Sequence, residues 1–178
     1  MVDLELNLLD HKTNIEKSHK QTIMKQLEWK CKQFEQLKNN ELYELIKLRV
    51  DVFVVEQHCP YPELDEKDRA TDTRHLIAYQ NSRIIAYARL LPPGVSYPNS
   101  SIGRFAVEAR HRRQGIGSIL MHKCLEQMSI LWPDHDIRVS AQAHLKEFYE
   151  SFKFIQSSEK YLEDGIPHIE MLKNKPHA

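Results

Sequence analysis

The sequence predicts a single α/β (α+β) domain built on a mixed sheet, and three observations lead to this prediction. The chain has 178 residues, which fits one domain of ordinary size. Hydrophobic residues make up 41% and charged residues 28%, as is typical of a chain with a packed core and a polar surface. Apolar residues recur with a period of two in some stretches and with a helical period in others, so strands and helices are interleaved.

The N-terminal part of the chain shows little pattern before the first strand. Residues 1–23 are largely polar and aperiodic, and we expect them to be a weakly ordered N-terminal extension. The domain is then expected to occupy residues 24–178. Its first strand is predicted at Leu27–Phe34, where apolar and polar residues alternate.

A helix and a hairpin are expected next. Glu41–Phe53 has apolar residues at helical spacing and predicts an amphipathic helix, which runs into an acidic segment that contains two prolines. Two β-rich runs follow, Arg74–Gln80 and Arg83–Leu91. Only Asn81-Ser82 separates them, which is typical of a two-residue hairpin turn.

The second half of the chain alternates between the two periods. Ser101–Val107 predicts a strand, and a basic, glycine-containing segment follows at Arg110–Gly117. A helix comes next, with an apolar face formed by Ile116, Leu120, Cys124 and Met128. The remaining elements are expected as a strand at Ile137–Ala141, a short helix around Leu145–Phe152, a strand from Phe154 and a last strand at His168–Leu172.

Charge and composition exclude several classes of protein. The 25 Lys and Arg residues balance the 25 Asp and Glu residues, so no global charge draws the chain to nucleic acid or to a membrane. The one basic cluster, Arg110–Arg113, is short and lacks interleaved aromatic residues for base stacking. No apolar run approaches the roughly 20 residues that span a bilayer. We therefore expect neither a nucleic-acid partner nor a membrane.

The cysteines and histidines indicate no metal and a reducing compartment. The three cysteines are widely spaced and form no C-x-x-C pair, which argues against a disulfide framework and a zinc site. The ten histidines show no H-x-x-x-H or H-E-x-x-H spacing. The sequence therefore favours a cytoplasmic protein without a metal.

The strongest chemical signal lies between a predicted strand and a predicted helix. It consists of Arg112, Arg113, Gln114, Gly115, Ile116 and Gly117. Glycines allow a tight turn in which successive N–H groups converge, and the start of a helix adds its positive dipole end. Together these features suit a pyrophosphate-sized anion, with the two arginines as ionic contacts at the rim. The alternative is an ordinary tight turn with solvated arginines.

Other phosphate-binding motifs do not fit this segment. A P-loop would end in Gly-Lys-Ser/Thr, which is absent here. The third glycine of the dinucleotide fingerprint would fall at Leu120. ATP and NAD are therefore disfavoured as ligands.

The same segment resembles the acyl-CoA loop of the GNAT superfamily of N-acyltransferases, which follows the pattern Arg/Gln-x-x-Gly-x-Gly/Ala. Arg112, Gly115 and Gly117 match that pattern. Downstream, Phe148–Phe154 is similar to the family's tyrosine-containing helix and the strand after it. Closer similarity to the ElaA-type branch is carried by Val52–Pro62, Gln142–Tyr149 and Glu163–Ile169. The resemblance extends over about residues 27–172.

This resemblance implies a fold and an activity. The fold would be a mostly antiparallel, twisted sheet flanked by helices, with splayed central strands. The activity would be transfer of an acetyl group from acetyl-CoA to a primary amine, on a small molecule or a peptide, by direct attack in a ternary complex. A homodimer would be compatible with such a fold.

The resemblance also implies roles for individual residues. The pantetheine arm of CoA would lie along the backbone of the strand before the loop, at Phe105, Ala106 and Val107. Tyr149 would be the acid that protonates the departing thiolate. Gln142 stands where many relatives have Asn, and its amide still suits a hydrogen bond to the ligand. Lys153 stands where a Gly is usual, which suggests a different turn.

Some roles stay open at this point. Tyr149 belongs to an aromatic cluster and would serve equally well as a packing residue. The base that deprotonates the amine is expected to be Glu56, which would otherwise anchor the ammonium group, with His75 and His168 as alternatives. The acidic residues between positions 56 and 72 would attract a cationic acceptor, or simply form a solvated loop. A non-catalytic acyl-CoA-binding or protein-interaction module is the alternative function.

Overall fold

The computed structural model describes residues 27–175, so the expected extension at residues 1–23 lies outside the described residues. Over residues 27–175, eight strands form one sheet in the order β1-β2-β3-β4-β5-β8-β6, and β7 pairs with β8. The strands are β1 (Glu28–Lys32), β2 (Arg74–Gln80), β3 (Arg83–Leu91), β4 (Ser100–Val107), β5 (Ile137–Gln142), β6 (Ile155–Gln156), β7 (Tyr161–Glu163) and β8 (Ile166–Lys173).

Within the described part of the chain, three α-helices flank this sheet. They are α1 (Asn39–Arg49), α2 (Ile116–Leu131) and α3 (Lys146–Glu150). A π-helix over Val50–Glu56 continues α1 directly. The helix predicted up to Phe53 is thus confirmed, and it ends three residues later than the sequence indicated.

The predicted hairpin is confirmed. β2 and β3 pair in antiparallel fashion, with Gln80 opposite Arg83. Between them Asn81 and Ser82 have φ angles of 49° and 65°. Two successive left-handed residues are what a type I′ turn requires, and this turn matches the twist of the flanking strands.

The C-terminal hairpin differs from the prediction. β7 was not predicted, and β8 begins at Ile166, two residues before the expected start at His168. The turn that joins β7 to β8 contains Asp164 and Gly165 in left-handed conformations, with φ angles of 49° and 80°. β7 has only three residues and its side chains are mostly exposed, so it carries almost no hydrophobic alternation.

Apolar side chains cover both faces of the sheet. One face packs against α2 and α3 through a core that includes Leu120, Cys124, Met128, Tyr149 and Phe154. The other face packs against α1 and the π-helix through Leu45, Leu48, Val52, Ile77 and Tyr87. This sandwich of helices about a mixed sheet confirms the predicted α/β (α+β) class.

The two central strands diverge, as the resemblance implied. β4 and β5 run parallel but pair only at their N-terminal ends, at Ser100↔Ile137 and Ser101↔Arg138. Residues 102–107 of β4 have no partner on β5. A bulge bends β4 further, because Arg104 and Phe105 of β4 lie opposite the single residue Ala88 of β3, and Arg104 takes a φ of 50°. A gap therefore opens between the carboxyl ends of β4 and β5.

Candidate functional site

The turn between β4 and α2 forms a cradle of backbone N–H groups. Arg113 and Gly115 have φ angles of 60° and 84°. Alternation of left-handed and ordinary residues makes successive N–H groups converge on one point. Among the described residues, the N–H groups of residues 113–117 have no backbone acceptor. They point out at the positive end of the 16-residue helix α2, which favours an anion.

The cradle has a space beside Gly117 that no protein atom fills. The φ angle of Gly117 lies outside the left-handed region, and a Cβ built on this residue would meet no atom within 4 Å. Glycine in a helix costs about 1 kcal/mol relative to alanine. Because neither packing nor backbone conformation requires this glycine, close approach of a ligand is the reason the structure suggests for it.

The two neighbouring arginines of the cradle make different contacts. Arg112 donates from Nε to the carbonyl oxygen of Val107 at 2.9 Å and from its two terminal nitrogens to both carboxylate oxygens of Glu56. Arg113 is exposed and takes part in no ion pair among the described residues. The side chain of Gln114 donates to the carbonyl oxygen of Arg110 at 2.9 Å. Arg113 is thus the cation at the rim that a bound anion would find unpaired.

The gap between the central strands begins beside the cradle. Phe105, Ala106 and Val107 form the end of β4, and they pair with β3 on one side only. Their backbone groups on the other side face the gap, where an extended ligand would find hydrogen-bond partners. The cradle and the gap therefore lie end to end, as a site for an anion with an extended chain attached.

Tyr149 lies on α3, on the same side of the sheet as α2. Its side chain is 6% exposed and packs edge-on against Phe148 and Phe154, with ring centroids 5.3 and 5.8 Å away. Burial, with a smaller contribution from the Cys124 thiol, raises the pKa of Tyr149 above its ordinary value. The phenol is therefore protonated at neutral pH. Tyr149 is therefore a packing residue, as considered from the sequence. This packing leaves the role of its hydroxyl in catalysis to be tested separately.

Residues Glu56–Cys59, here called the bridging segment, begin at the last residue of the π-helix and contact three other elements. Glu56 binds Arg112, and Gln57 accepts a hydrogen bond from the Gln142 side chain at the end of β5 (3.0 Å). Cys59 contacts the carbonyl oxygen of Asp164 in the β7–β8 turn (3.4 Å). The bridging segment thus joins the elements on both sides of the gap.

The charge of Glu56 is set by its arginine partner. The hydrogen bonds from Arg112 lower the pKa of Glu56 below its ordinary value, against a smaller effect of burial. The carboxylate is ionised at neutral pH. Two of its lone-pair positions stay available, because a bidentate arginine uses only one edge of the group.

The two histidines proposed from the sequence occupy very different places. His75 on β2 is 0% exposed, and its ring nitrogens lie 2.8 Å from the hydroxyl of Tyr87 and 3.0 Å from the carbonyl oxygen of Asp68. Burial lowers the pKa of His75, so the ring is neutral at neutral pH. Both nitrogens have partners in the interior, and the structure does not bring His75 to the gap.

His168 lies closer to the bridging segment. It pairs across the sheet with Gln142, and its ring stacks on Tyr161. Its Nδ1 lies 2.8 Å from the carbonyl oxygen of Ile166, which leaves Nε2 for another partner. The geometry therefore makes His168 the better placed of the two histidines.

A largely buried ion network, which the sequence did not reveal, joins the end of α1 to β3, β4 and the acidic segment. It joins three arginines to three carboxylates, and its members are Arg49, Arg89, Arg104, Glu63, Asp65 and Asp68. Arg49 is 1% exposed and lies 2.8 Å from Asp68, and Arg89 lies 2.6 Å from Asp65. The signal in the sequence was a charged residue inside each of two apolar stretches, at Arg49 and Arg89.

This network changes the interpretation of the acidic segment. Three of its carboxylates are paired with buried or half-buried arginines, and the exposed Glu66 and Asp72 lie beside Arg69 and Arg74 respectively. The segment is therefore neither a free attractor for cations nor a purely solvated loop. Burial alone would raise the pKa of Asp68, but the hydrogen bond and charge of Arg49 lower it below its ordinary value.

Two carboxylates near the bridging segment have no such partner. Glu163 and Asp164 are exposed and form no ion pair within residues 27–175. Glu163 accepts a hydrogen bond from Ser140 at 2.8 Å, on the sheet face that also carries Gln142 and His168. The uncompensated negative charge on this side of the gap thus comes from β7 and its turn.

Within residues 27–175, no three His, Cys, Asp or Glu side chains lie close enough together to hold a metal ion. Over the same range, the helices are too short or too polar to cross a bilayer.

Comparison with known proteins places this geometry in a family. The family model described as an acetyltransferase (GNAT) domain matches residues 30–175. Protein ElaA of Escherichia coli is 43% identical over 147 residues, which cover 83% of this chain and 96% of that protein. A UPF0039 protein of Schizosaccharomyces pombe is 41% identical over 150 residues, or 83% of this chain and 97% of that protein.

Solved structures agree with the sequence comparisons. A crystal structure of an acyl-CoA N-acyltransferase from Pseudomonas aeruginosa has a TM-score of 0.80 and 44% identity, and the match covers 83% of this chain and 99% of that one. The crystal structure of Escherichia coli ElaA has a TM-score of 0.79 and 42% identity over the same shares of the two chains. The chain therefore belongs to the GNAT acetyltransferase-domain family, in its ElaA-like branch.

Proposed function

We propose that this protein is an acetyl-CoA-dependent N-acetyltransferase that transfers an acetyl group to a primary amine. The observation that carries the proposal is the row of five backbone N–H groups, at residues 113–117, at the start of α2. This cradle suits the diphosphate of CoA, and the adjoining gap suits the pantetheine arm along Phe105–Val107. The three free cysteines fit a reducing, cytoplasmic setting.

The chemical step follows from the order of these parts along the gap. The amine nitrogen attacks the thioester carbonyl carbon, the C–S bond breaks, and the amide product and CoA thiolate form within a ternary complex. Backbone N–H groups of β4 would polarise the carbonyl oxygen. The hydroxyl of Tyr149 would donate a proton to the thiolate, and the amine proton would leave to a base or through water.

The acceptor side favours a cationic amine. Glu56, Glu163 and Asp164 place carboxylates around the bridging segment, and the last two have no cationic partner among the described residues. An alkylammonium ion has a pKa near roughly 10 and must lose a proton before attack. Glu56 is the first candidate for that base or for an ammonium anchor, and His168 is the alternative.

Calorimetry with acetyl-CoA, CoA, ATP and a short oligonucleotide tests the ligand class. We expect acetyl-CoA and CoA to bind with one site per chain, and ATP and the oligonucleotide to bind weakly or not at all. Binding of the oligonucleotide alone would contradict the proposal. Saturable CoA binding without acetyl transfer to any amine would instead favour a non-catalytic acyl-CoA-binding module, which the packed position of Tyr149 also suits.

A further inference from the structure

We propose that Arg112 is a positioning residue, which fixes Glu56 beside the carboxyl end of β4, and that its neighbour Arg113 supplies the ionic contact to the bound diphosphate. This inference rests on the proposed function, since it assigns separate tasks to two adjacent arginines of the same cradle.

The contacts of Arg112 are those of a rigid connector. Its Nε donates to the Val107 carbonyl oxygen at 2.9 Å, while its two terminal nitrogens bind the two oxygens of Glu56. All three groups belong to one planar guanidinium, so the orientation of Glu56 is fixed relative to β4. A lysine, with one nitrogen at the end of a flexible chain, cannot make this set of contacts.

Glu56 is a residue that needs such support. It is the last residue of the π-helix, and its side chain is 44% exposed, so it would otherwise sample several rotamers. With Arg112 on one edge, the free edge of the carboxylate points in one direction. That free edge can accept a hydrogen bond from an ammonium group or take its proton.

Arg112 also links the bridging segment to the donor side. The other two links, Gln57 to Gln142 and Cys59 to Asp164, reach β5 and the β7–β8 turn. Among the hydrogen bonds of residues 27–175, the link through Arg112 is the one from this segment that reaches the end of β4, where the thioester would be held. The distance between the acceptor's nitrogen and the acyl carbon therefore depends on this guanidinium.

Arg113 is free for the other task. Its side chain is exposed and forms no ion pair within the described residues. Its own N–H belongs to the cradle, and the residue takes a left-handed conformation (φ 60°). An exposed guanidinium beside a diphosphate adds a salt-dependent attraction.

CoA affinity separates the two tasks. We expect Arg113→Ala to weaken CoA about three- to tenfold at low salt, with a smaller loss at high salt, as screening of an exposed ionic contact requires. Arg112→Ala should change the calorimetric Kd for CoA by less than about twofold. Lys123→Ala is the matched control, because it breaks an exposed ion pair, Lys123–Glu126, on the helix that begins at the cradle, and it should leave the Kd for CoA unchanged. A loss in Arg112→Ala equal to or larger than that in Arg113→Ala would overturn the inference.

Kinetics test the positioning role. With saturating acetyl-CoA and the best amine from a pool of primary amines, Arg112→Ala and Glu56→Gln should each lower kcat/KM for the amine about tenfold or more. The double variant, with Arg112→Ala and Glu56→Gln together, should lose no more kcat/KM than the more impaired single variant. Both changes break the same Arg112–Glu56 pair, so their effects should not add. Arg112→Lys should resemble Arg112→Ala. The positioning role would be overturned if the losses of the two single variants multiplied in the double variant, or if Arg112→Lys kept full activity.

The CoA affinities and the amine kinetics also distinguish this inference from the proposed function. If CoA does not bind the wild-type protein, both are overturned. If CoA binds but no amine is acetylated, the proposed function is overturned, and the CoA affinities still decide which arginine contacts the anion.

Discussion

The side-chain amide of Gln142, at the end of β5, donates a hydrogen bond to the side-chain oxygen of Gln57 in the bridging segment, at 3.0 Å. The contact spans the side of the gap that lies opposite Arg112. It uses the amide nitrogen of Gln142 and leaves the carbonyl oxygen of the same group for another donor. A pantetheine amide is such a donor, so one side chain can hold both the bridging segment and the ligand.

The two roles of Gln142 are separable by mutation. Gln142→Leu removes both contacts and should weaken acetyl-CoA about three- to tenfold, the size of one lost hydrogen bond. Gln57→Leu removes only the bridge and should leave acetyl-CoA affinity within about twofold of wild type. Calorimetric titration of both variants gives the answer. Equal losses in the two variants would mean that Gln142 only supports the bridging segment.

Gly117 provides a test of the cradle that does not disturb the fold. Gly117→Glu introduces a longer, anionic side chain into space where a Cβ meets no protein atom within 4 Å, at the start of a helix, where a carboxylate is favoured. The loop pattern allows Ala at this position, so the test needs a larger residue. We expect an unchanged or slightly higher Tm together with at least a tenfold loss of CoA affinity, because the carboxylate fills the place of the diphosphate and repels it. Gly115→Val should also abolish binding, but its left-handed φ of 84° makes it lose stability as well. Wild-type CoA affinity in a well-folded Gly117→Glu protein would place the diphosphate elsewhere.

Tyr149→Phe separates the role of Tyr149 as an acid from its role in packing. The ring and its contacts with Phe148 and Phe154 remain, and only the hydroxyl is lost. General acid catalysis contributes about 10²- to 10⁴-fold, and we expect a kcat loss at the lower end, because burial raises the pKa of Tyr149 and makes it a weaker acid. CoA affinity should change little. Stopped-flow kinetics under rate-limiting chemistry would show no change in rate if the hydroxyl had no part in the reaction.

The raised pKa of Tyr149 also predicts a pH dependence. The acid form persists above the ordinary tyrosine pKa of about 10. The kcat profile should therefore show no loss from this group between pH 6 and about pH 10. A loss of kcat near pH 8 that disappears in Tyr149→Phe would contradict the assignment of a raised pKa.

The buried ion network predicts how stability depends on charge. Arg49→Met leaves Glu63 and Asp68 without their main partner, and such a loss costs about 3–5 kcal/mol. For a chain of this size, Tm should fall by about 10 °C or more. Lys47→Met, at an exposed pair on the same helix, should change Tm by about 1–2 °C at most. Comparable losses in the two variants would show that the network contributes no more than a surface pair.

The same network predicts loss of stability in acid. The folded-state pKa values of Asp65 and Asp68 lie below their ordinary value, so the unfolded chain takes up protons first as the pH falls. Their contribution is complete above about pH 4 and is lost as the pH falls through the folded-state values. Asp68→Asn should therefore start with a lower Tm and show a shallower decline between pH 5 and pH 2. A parallel decline in both proteins would contradict this linkage.

Local patterns were enough to predict most of the fold. The turn at Asn81-Ser82 and the cradle at Arg112–Gly117 are short-range features whose backbone requirements are visible in adjacent residues. The bounds of β3 match the prediction, and β4 begins at Ser100, one residue earlier than expected. β7 was missed because three mostly exposed residues carry no periodic signal.

Contacts between distant parts of the chain could not be predicted. Arg112 and Glu56 are 56 positions apart, and Arg89 and Asp65 are 24 positions apart. No local rule pairs charges over such distances. From the sequence, both arginines of the cradle were therefore expected to contact the anion, and the acidic segment was expected to attract a cation or to be solvated. His75 looked like a strand residue near a loop, and its full burial depends on the network and on Tyr87.

Amine-dependent release of CoA thiol from acetyl-CoA, with mass analysis of the products, tests the central claim most directly. With a pool of polyamines, amino acids and short peptides, we expect thiol release that depends on both the protein and an amine. At least one amine should carry an added acetyl group, and release should fall by about tenfold or more in Gly117→Glu at sub-saturating acetyl-CoA. If acetyl-CoA binds at the cradle but every amine is recovered unmodified, this protein is not an N-acetyltransferase for these acceptors and the proposed function is contradicted.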